Sequence, residues 1–171
     1  LKSFELSKSQ FEKLSELTHS LGMLFISTPF DLESSFFLES HVDCYKIASG
    51  DNNFYPLIEQ IANTGKPIMF SAGVSDYDQV EKTTNLIKRV WAEKNIIGNL
   101  SILHCVSCYP VKSECANLLS IGYLMERLKL TVGYSDHTIG VDAAIMAIAI
   151  GARIIEKHFT LDKAFSDFRD H

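Results

Sequence analysis

The chain has 171 residues, a hydrophobic fraction of 46% and a formal net charge of −5, and it is long enough to form one domain with a hydrophobic core. The acidic balance argues against nucleic acid as the main partner, because binding to phosphate backbones by charge requires a basic surface. No apolar run approaches the roughly 20 residues that span a bilayer, and no secretory signal opens the chain, so we expect a cytoplasmic protein with no membrane partner.

Short apolar runs alternate with segments of helical periodicity along the chain. The first helix is predicted at 8–20, with Ser7 as its N-cap, Gln10 as the capping-box partner and Gly22 as its stop. The alternation that follows predicts parallel strands joined by right-handed crossovers. The predicted strands are 23–28, 44–49, 67–72, 101–107, 130–135 and 153–159, and the helices between them lie near 32–40, 54–64, 76–93, 116–128 and 141–151.

Two architectures fit this alternation, an open doubly wound sheet and a (β/α)8 TIM barrel. The open sheet usually binds nucleotides through a glycine-rich first turn, and the sequence contains neither GxGxxG nor a Walker loop. Small or polar residues follow every predicted strand, as in a barrel, which collects its chemistry from many strand ends. We therefore predict a single partial barrel domain over 1–171. Because six strands are two short of eight and the chain starts at Leu1, we expect a fragment of about six βα units lacking the first strands.

Two histidines follow consecutive predicted strands, His137 and His158. Neighbouring strands lie about 5 Å apart, so the two imidazoles are placed to share one transition-metal ion such as Mn, Fe or Zn. The alternative is two unrelated histidines, one of which forms a hydrogen bond at a strand end. Asp136 is either a third ligand or an orienter of its neighbour, and side-chain alternation directs it away from His137.

Lys46 lies inside a predicted strand, where burial of a lysine is costly unless an anion faces it. Lys46 and Ser49 are thus candidates for binding a phosphate or carboxylate. A Schiff-base lysine, as in a class I aldolase, and a lysine that reaches solvent are the alternatives. Lys157 should face the helix layer, with Glu156 or Asp162 as candidate partners.

Cys105 and Cys108 form a CxxC pair, which is weak evidence for zinc because a structural site needs four ligands, usually with a second pair. Cys115 could join the pair, but Cys44 lies on another strand. We therefore expect buried strand cysteines rather than a metal site. Tyr109, in the turn that follows, is placed to direct its hydroxyl at a ligand.

Four motifs occur in the order "YKIASGDNNFYPLI", "LHCVSCYP", "VGYSDHTIG" and "GARIIEKHFTLD". Together they resemble the sialic acid synthase family, N-acetylneuraminate synthase and its legionaminic and pseudaminic acid relatives, over essentially the whole chain. The resemblance implies a (β/α)8 barrel that condenses phosphoenolpyruvate with an N-acylated mannosamine-type sugar, giving a nine-carbon 2-keto acid and phosphate. It also implies a divalent metal, usually Mn2+ with Mg2+ or Co2+ as alternatives, which polarises the open-chain aldehyde of the sugar.

The resemblance also assigns roles to individual residues. His137 and His158 match the metal-binding histidines. The positions that match groups around phosphoenolpyruvate are Thr28, Lys46, Ser49, Ser71 and Ser135, with Ser107 where relatives often have asparagine. The positions that match sugar-site residues are Tyr109, Asp51, where a relative carries glutamate, and Asp170, which aligns only across a gap. The residues that we predict to be catalytic are Lys46, Asp51, Tyr109 and Asp170. In this reaction Lys46 supplies charge and forms no Schiff base.

The family has parts that we expect this chain to lack. Its members carry an earlier barrel portion with a catalytic glutamate and further phosphate ligands, and a C-terminal antifreeze-like domain that donates an arginine to the partner subunit of a domain-swapped dimer. We therefore expect an exposed sheet edge, an inactive isolated chain, and a homodimer in the full-length protein. An inactive truncated relative that only binds or scaffolds is a further alternative.

Overall fold

A computed structural model describes residues 5–162, which form six parallel strands alternating with six α-helices. The strands are β1 (Ile26–Ser27), β2 (Cys44–Ile47), β3 (Ile68–Ser71), β4 (Leu100–Cys105), β5 (Thr131–Asp136) and β6 (Ile155–Lys157). The helices are α1 (Lys8–Ser20), α2 (Leu32–Leu38), α3 (Tyr55–Asn63), α4 (Tyr77–Lys94), α5 (Leu119–Leu128) and α6 (Asp142–Ala149). Every predicted element is present, but β1 and β6 are much shorter than predicted. No helix in this part of the chain is long and apolar enough to cross a membrane.

Each strand pairs in parallel with the next strand along the chain, so the sheet order is β1-β2-β3-β4-β5-β6. A doubly wound sheet reverses its strand order at a switch point, whereas a barrel keeps the order of the chain. The sheet curls into a half-barrel with helices on its outer face. The predicted α/β barrel fragment is therefore confirmed, and β1 and β6 are its edges within residues 5–162.

The hydrophobic core lies between the outer face of the sheet and the helices. Alternate residues of neighbouring strands point into it, including Tyr45, Phe70, Ile102 and Val132, all of which are fully buried. Burial of each such large side chain contributes about 1.5–3 kcal/mol. Side-chain alternation then turns the residues between them toward the inside of the curl. Lys46 is one of these inner-face residues.

The first helix begins and ends as the sequence predicts. Ser7 accepts a hydrogen bond from the Gln10 N–H, while the Gln10 side chain accepts one from the Ser7 N–H, which completes the capping box. At the other end Gly22 adopts a φ of 71° and donates its N–H to the carbonyl of His19. Glycine reaches this left-handed conformation without steric cost, so the helix stops there.

Candidate active site

A buried lysine and a carboxylate meet on the inner face of the sheet. Lys46 of β2 is buried, and its Nζ lies 3.3 Å from Oε2 of Glu156 on β6. The other oxygen of Glu156 accepts a hydrogen bond of 2.7 Å from the Ser135 hydroxyl of β5. The interpretation of Lys46 as a lysine that reaches solvent is therefore wrong. The lysine faces an anionic group, as its burial required.

Glu156 is the site residue that sequence reasoning missed. It appeared there only as a candidate partner of Lys157. The register pairs Ser135 with Glu156 across β5 and β6, which places both side chains on the inner face. The available signal was its position two residues before His158, because residues two apart on a strand share a face.

The two histidines predicted to hold a metal lie side by side. The ring centroids of His137 and His158 are 5.2 Å apart, and the rings are inclined at 72°. His137 Nδ1 lies 2.8 Å from the carbonyl oxygen of Val106. Because a carbonyl only accepts, the proton of neutral His137 sits on Nδ1, and Nε2 keeps the lone pair that a metal ion needs.

The donor chemistry of this pair fits a transition-metal ion. Imidazole nitrogens suit transition-metal ions such as Fe2+ and Zn2+, and oxygen ligands beside them would suit Mn2+. Residues 5–162 contain no cluster of three or more His, Cys, Asp or Glu side chains arranged to hold a metal. His137 and His158 would therefore supply only two ligands to such an ion, and water, substrate oxygens or residues outside this range would have to complete the shell.

Tyr109 forms a wall beside the two histidines. Its ring centroid lies 4.1 Å from that of His137 and 5.4 Å from that of His158, the second contact being edge-on. The following peptide bond to Pro110 is cis. Tyr109 thus covers both imidazoles from the loop after β4, where a ligand bound to the histidines would touch its ring.

Hydroxyl groups from the segments after β2 and β4 lie close to Gly73, which follows β3. Its N–H donates to the Ser49 hydroxyl at 3.1 Å. A Cβ atom at this position would lie 2.6 Å from Ser49 Oγ and 2.7 Å from Ser107 Oγ. The hydroxyl of Ser71 is buried and has no hydrogen-bond partner in the structure. A buried, unsatisfied hydroxyl is costly, so this notch of hydroxyls fits the predicted anion ligand.

For the remaining predicted site residues within 5–162, the structure gives a position and a degree of burial but no side-chain hydrogen bond or ion pair with the groups described above. Thr28 follows β1 directly and is half-buried. Asp51 ends the 3-10 turn Ser49–Asp51, and burial raises the pKa of its carboxyl group. Next to it, Asn52 is buried and donates its amide to the carbonyls at the end of β3, a supporting contact that sequence reasoning also missed. Asp170 lies outside the described residues.

Asp136 points to the opposite face from the histidines, as strand alternation predicts. Its carboxylate lies 2.8 Å from Lys157 Nζ. Burial alone would raise the pKa of Asp136, but the Lys157 ammonium and two donors from Thr138 outweigh it and hold that pKa below its ordinary value. The expected partners of Lys157, Glu156 or Asp162, are thus replaced by Asp136, because the register of β5 and β6 pairs residues 136 and 157.

The cysteines are free thiols in two environments. Cys44 and Cys105 are buried on strands as expected, but Cys108 and Cys115 are exposed. The expectation of buried strand cysteines is therefore wrong for the second pair. Its members lie in the loop between β4 and α5, which runs over the surface.

Known proteins resemble the chain over nearly its whole length. The model of the NeuB family matches residues 1–171. An uncharacterized protein of Methanocaldococcus jannaschii is 44% identical over 163 residues, which cover 95% of this chain and 47% of that protein. The N,N'-diacetyllegionaminic acid synthase of Legionella pneumophila is 39% identical over 165 residues, which cover 96% of this chain and 46% of the synthase.

Among solved structures, the N-acetylneuraminic acid (sialic acid) synthetase of Leptospira borgpetersenii superposes with a TM-score of 0.87 at 34% identity. The match covers 93% of this chain and 54% of that one. The chain therefore spans about half the length of the relatives that it matches.

Proposed function

The chain belongs to the NeuB family, whose matched members include sialic-acid-type synthases, and from this premise we propose that its site condenses phosphoenolpyruvate with an N-acylated mannosamine-type sugar. The products are a nine-carbon 2-keto acid and phosphate. The observation that carries the proposal is the placement, at one end of one curled sheet, of a hydroxyl notch, a buried lysine and a pair of histidines.

The reaction joins C3 of phosphoenolpyruvate to the aldehyde carbon C1 of the open-chain sugar. The aldehyde oxygen takes up a proton and becomes a hydroxyl group. Water adds to the oxocarbenium centre left at C2 and loses a proton. The C2–O bond to phosphate then breaks as the new hydroxyl becomes the 2-keto group, and the hydroxyl proton passes to the departing phosphate. Atoms and charge balance without an oxidant or reductant, so no redox cofactor is needed.

The inner face of the sheet supplies groups that suit phosphoenolpyruvate. Lys46 provides a fixed positive charge at 3.3 Å from Glu156. The hydroxyls of Ser49, Ser71 and Ser107 supply hydrogen-bond donors, and that of Ser71 has no partner among residues 5–162. A highly anionic substrate is stabilised by such a combination of one cation and several neutral donors.

We assign His137 and His158 to a divalent metal, most suitably Mn2+ with Mg2+ or Co2+ as alternatives. When bound, the metal supplies Lewis-acid polarisation of the sugar aldehyde. Tyr109 lies against both rings, so a sugar whose aldehyde is held there would lie against the tyrosine. Asp51 and Asp170 are proposed to contact the sugar.

A class I aldolase is the alternative chemistry for Lys46. A Schiff-base lysine acts as an uncharged nucleophile, whereas the structure pairs Lys46 Nζ with the Glu156 carboxylate at 3.3 Å. The ion pair thus favours the condensation with phosphoenolpyruvate. Borohydride reduction in the presence of pyruvate separates the two, because an aldolase would become covalently labelled at Lys46 and a synthase would not.

The direct test is an assay of phosphate release by the full-length protein with phosphoenolpyruvate and a panel of N-acylated mannosamine-type sugars. We expect release that requires both a sugar and Mn2+, and that falls at least about 100-fold in His137→Ala, because metal catalysis is worth several kcal/mol. Arg89→Met, which alters an exposed ion pair with Glu59 on the helical surface, is the control. Phosphate release that is independent of metal, or absent with every sugar of the panel, contradicts the proposal.

A further inference from the structure

Asp136 and Lys157 form an ion pair on the outer face of the sheet, directly behind the two histidines. The Asp136 side chain is fully shielded from solvent and lies 2.8 Å from Lys157 Nζ. Its other oxygen accepts hydrogen bonds from both the N–H and the hydroxyl of Thr138, each at 2.8 Å. Lys157 also donates to the Thr138 carbonyl at 2.8 Å. A buried ion pair offsets its desolvation cost only with such additional hydrogen bonds.

The backbone pairing of β5 with β6 ends at this ion pair. Asp136 and Lys157 are the last residues in register, and His137 and His158 each come one residue later. The ladder therefore stops short of the histidines and does not fix the distance between them. The Lys157 ammonium extends the connection, because it contacts the residues on both sides of His137.

The pair is not a metal ligand. Asp136 points away from the imidazoles, and both of its oxygens are already engaged by Lys157 and Thr138. The burial of the Asp136 side chain also distinguishes this ion pair from the exposed ion pairs on the helices. Arg89 and Glu59, for example, have side chains that are 61% and 47% exposed, a setting in which ion pairs contribute little.

We infer that Asp136 and Lys157 are a positioning pair, which sets the spacing of His137 and His158 from the opposite face of the sheet. The inference rests on the proposed metal site and deepens it, since it names the contacts that hold the two ligands together. The Lys157 ammonium, which precedes His158 along the chain, binds the Asp136 carboxylate and the Thr138 carbonyl, one residue on either side of His137. Loss of that cation should let the end of β6 move relative to β5.

The test compares Lys157→Met, Lys157→Arg and Asp136→Asn with the parent chain and with the surface control Arg89→Met. Two quantities are measured in each protein. The first is the affinity for Mn2+ alone, from the free-ion signal in electron paramagnetic resonance. The second needs no metal: the nuclear Overhauser contact between the ring protons of His137 and His158. Circular dichroism establishes that each variant is folded.

We expect Lys157→Met to bind Mn2+ about 10- to 100-fold more weakly, the range typical for loss of a group that orients metal ligands. The ring contact should weaken in the same variant. Lys157→Arg should retain both the Mn2+ affinity and the ring contact, because it keeps the cation. Arg89→Met should change neither quantity. Should Lys157→Met fail to fold, Asp136→Asn, which keeps the shape of the side chain, carries the same expectation.

Two results would overturn the positioning role, and a third would overturn the metal site while supporting that role. Unchanged Mn2+ affinity together with an unchanged ring contact in Lys157→Met and Asp136→Asn overturns the positioning role. An equal loss in Arg89→Met also overturns it, because the effect would then be one of general stability. A parent chain that binds no Mn2+ but loses its ring contact in Lys157→Met overturns the metal site and supports the positioning pair.

Discussion

Gly73 is the residue whose missing side chain does most for the proposed anion site. The space above its Cα is shared by two hydroxyls, since a Cβ atom would lie 2.6 Å from Ser49 Oγ and 2.7 Å from Ser107 Oγ. Real Cβ contacts do not approach so closely. The close approach of the two serine hydroxyls to this Cα therefore depends on glycine at this position.

We predict that Gly73→Ala weakens the binding of phosphoenolpyruvate at least about 10-fold, which corresponds to about 1.4 kcal/mol, because the added methyl group pushes the two hydroxyls apart. Gly50→Ala is the matched control, since a Cβ there meets no atom within 4 Å. Isothermal titration calorimetry measures both. Equal affinities in the two variants would show that the notch is not where the anion binds.

The limits of sequence reasoning are visible at the same residue scale. The positions of Ser135 and His137 at a strand end, and of Lys46 inside a strand, follow from alternation and from the parallel order of the strands, so they could be predicted. The contact between Lys46 and Glu156 could not, because it joins β2 to β6 and depends on how far the sheet curls. The partner of Lys157 likewise depended on the register between two strands, which no pattern in the sequence fixes.

At the scale of elements, β6 is one of the two short edge strands of the described sheet. It has three residues, all of them half-buried, and its ladder partner is β5. Gly133 of β5 lies against the chain just before β6. A Cβ at Gly133 would lie 2.5 Å from the Ile154 carbonyl oxygen and 2.6 Å from Leu103 Cδ2. Close packing of β4, β5 and β6 thus requires glycine there.

We predict that Gly133→Ala lowers the free energy of unfolding by at least about 2 kcal/mol, because an overpacked core strains its surroundings. It should also weaken Mn2+ binding, since the carbonyl that must move lies four residues before His158. Urea unfolding followed by circular dichroism gives the stability.

Gly122→Ala on α5 provides the contrast. Its Cβ would meet no atom within 4 Å, and replacing glycine by alanine inside a helix stabilises it by about 0.5–1 kcal/mol. A Gly133→Ala variant as stable as the Gly122→Ala variant would contradict the packing described for β5 and β6.

On the scale of the whole molecule, the half-barrel leaves apolar surface at its two edges. Leu21, Met23 and Leu24 are exposed near β1, and Ile145 and Met146 are exposed on α6. A barrel closes such edges with further strands, and the matched relatives are about twice as long as this chain. The histidine pair and the hydroxyl notch both lie within the described residues, so each can be tested by binding.

We predict that the 171-residue chain by itself binds Mn2+ and phosphoenolpyruvate but does not release phosphate with any N-acylated mannosamine-type sugar. The reason is that an open half-barrel leaves the reacting groups in contact with water, whereas condensation needs an enclosed, oriented pair of substrates. A coupled phosphate assay of the purified chain checks this. Full synthase activity from the chain alone would contradict it.

The central claim is that the histidine pair and the hydroxyl notch form one site. The 31P resonance of phosphoenolpyruvate tests it most directly, because Mn2+ bound nearby broadens the signal of bound phosphate. We predict broadening that depends on the parent protein and exceeds that of Mn2+ with phosphoenolpyruvate alone. The protein-dependent part should disappear in His137→Ala, while phosphoenolpyruvate still binds. Broadening that is absent in the parent, or unchanged in His137→Ala, would contradict a shared site.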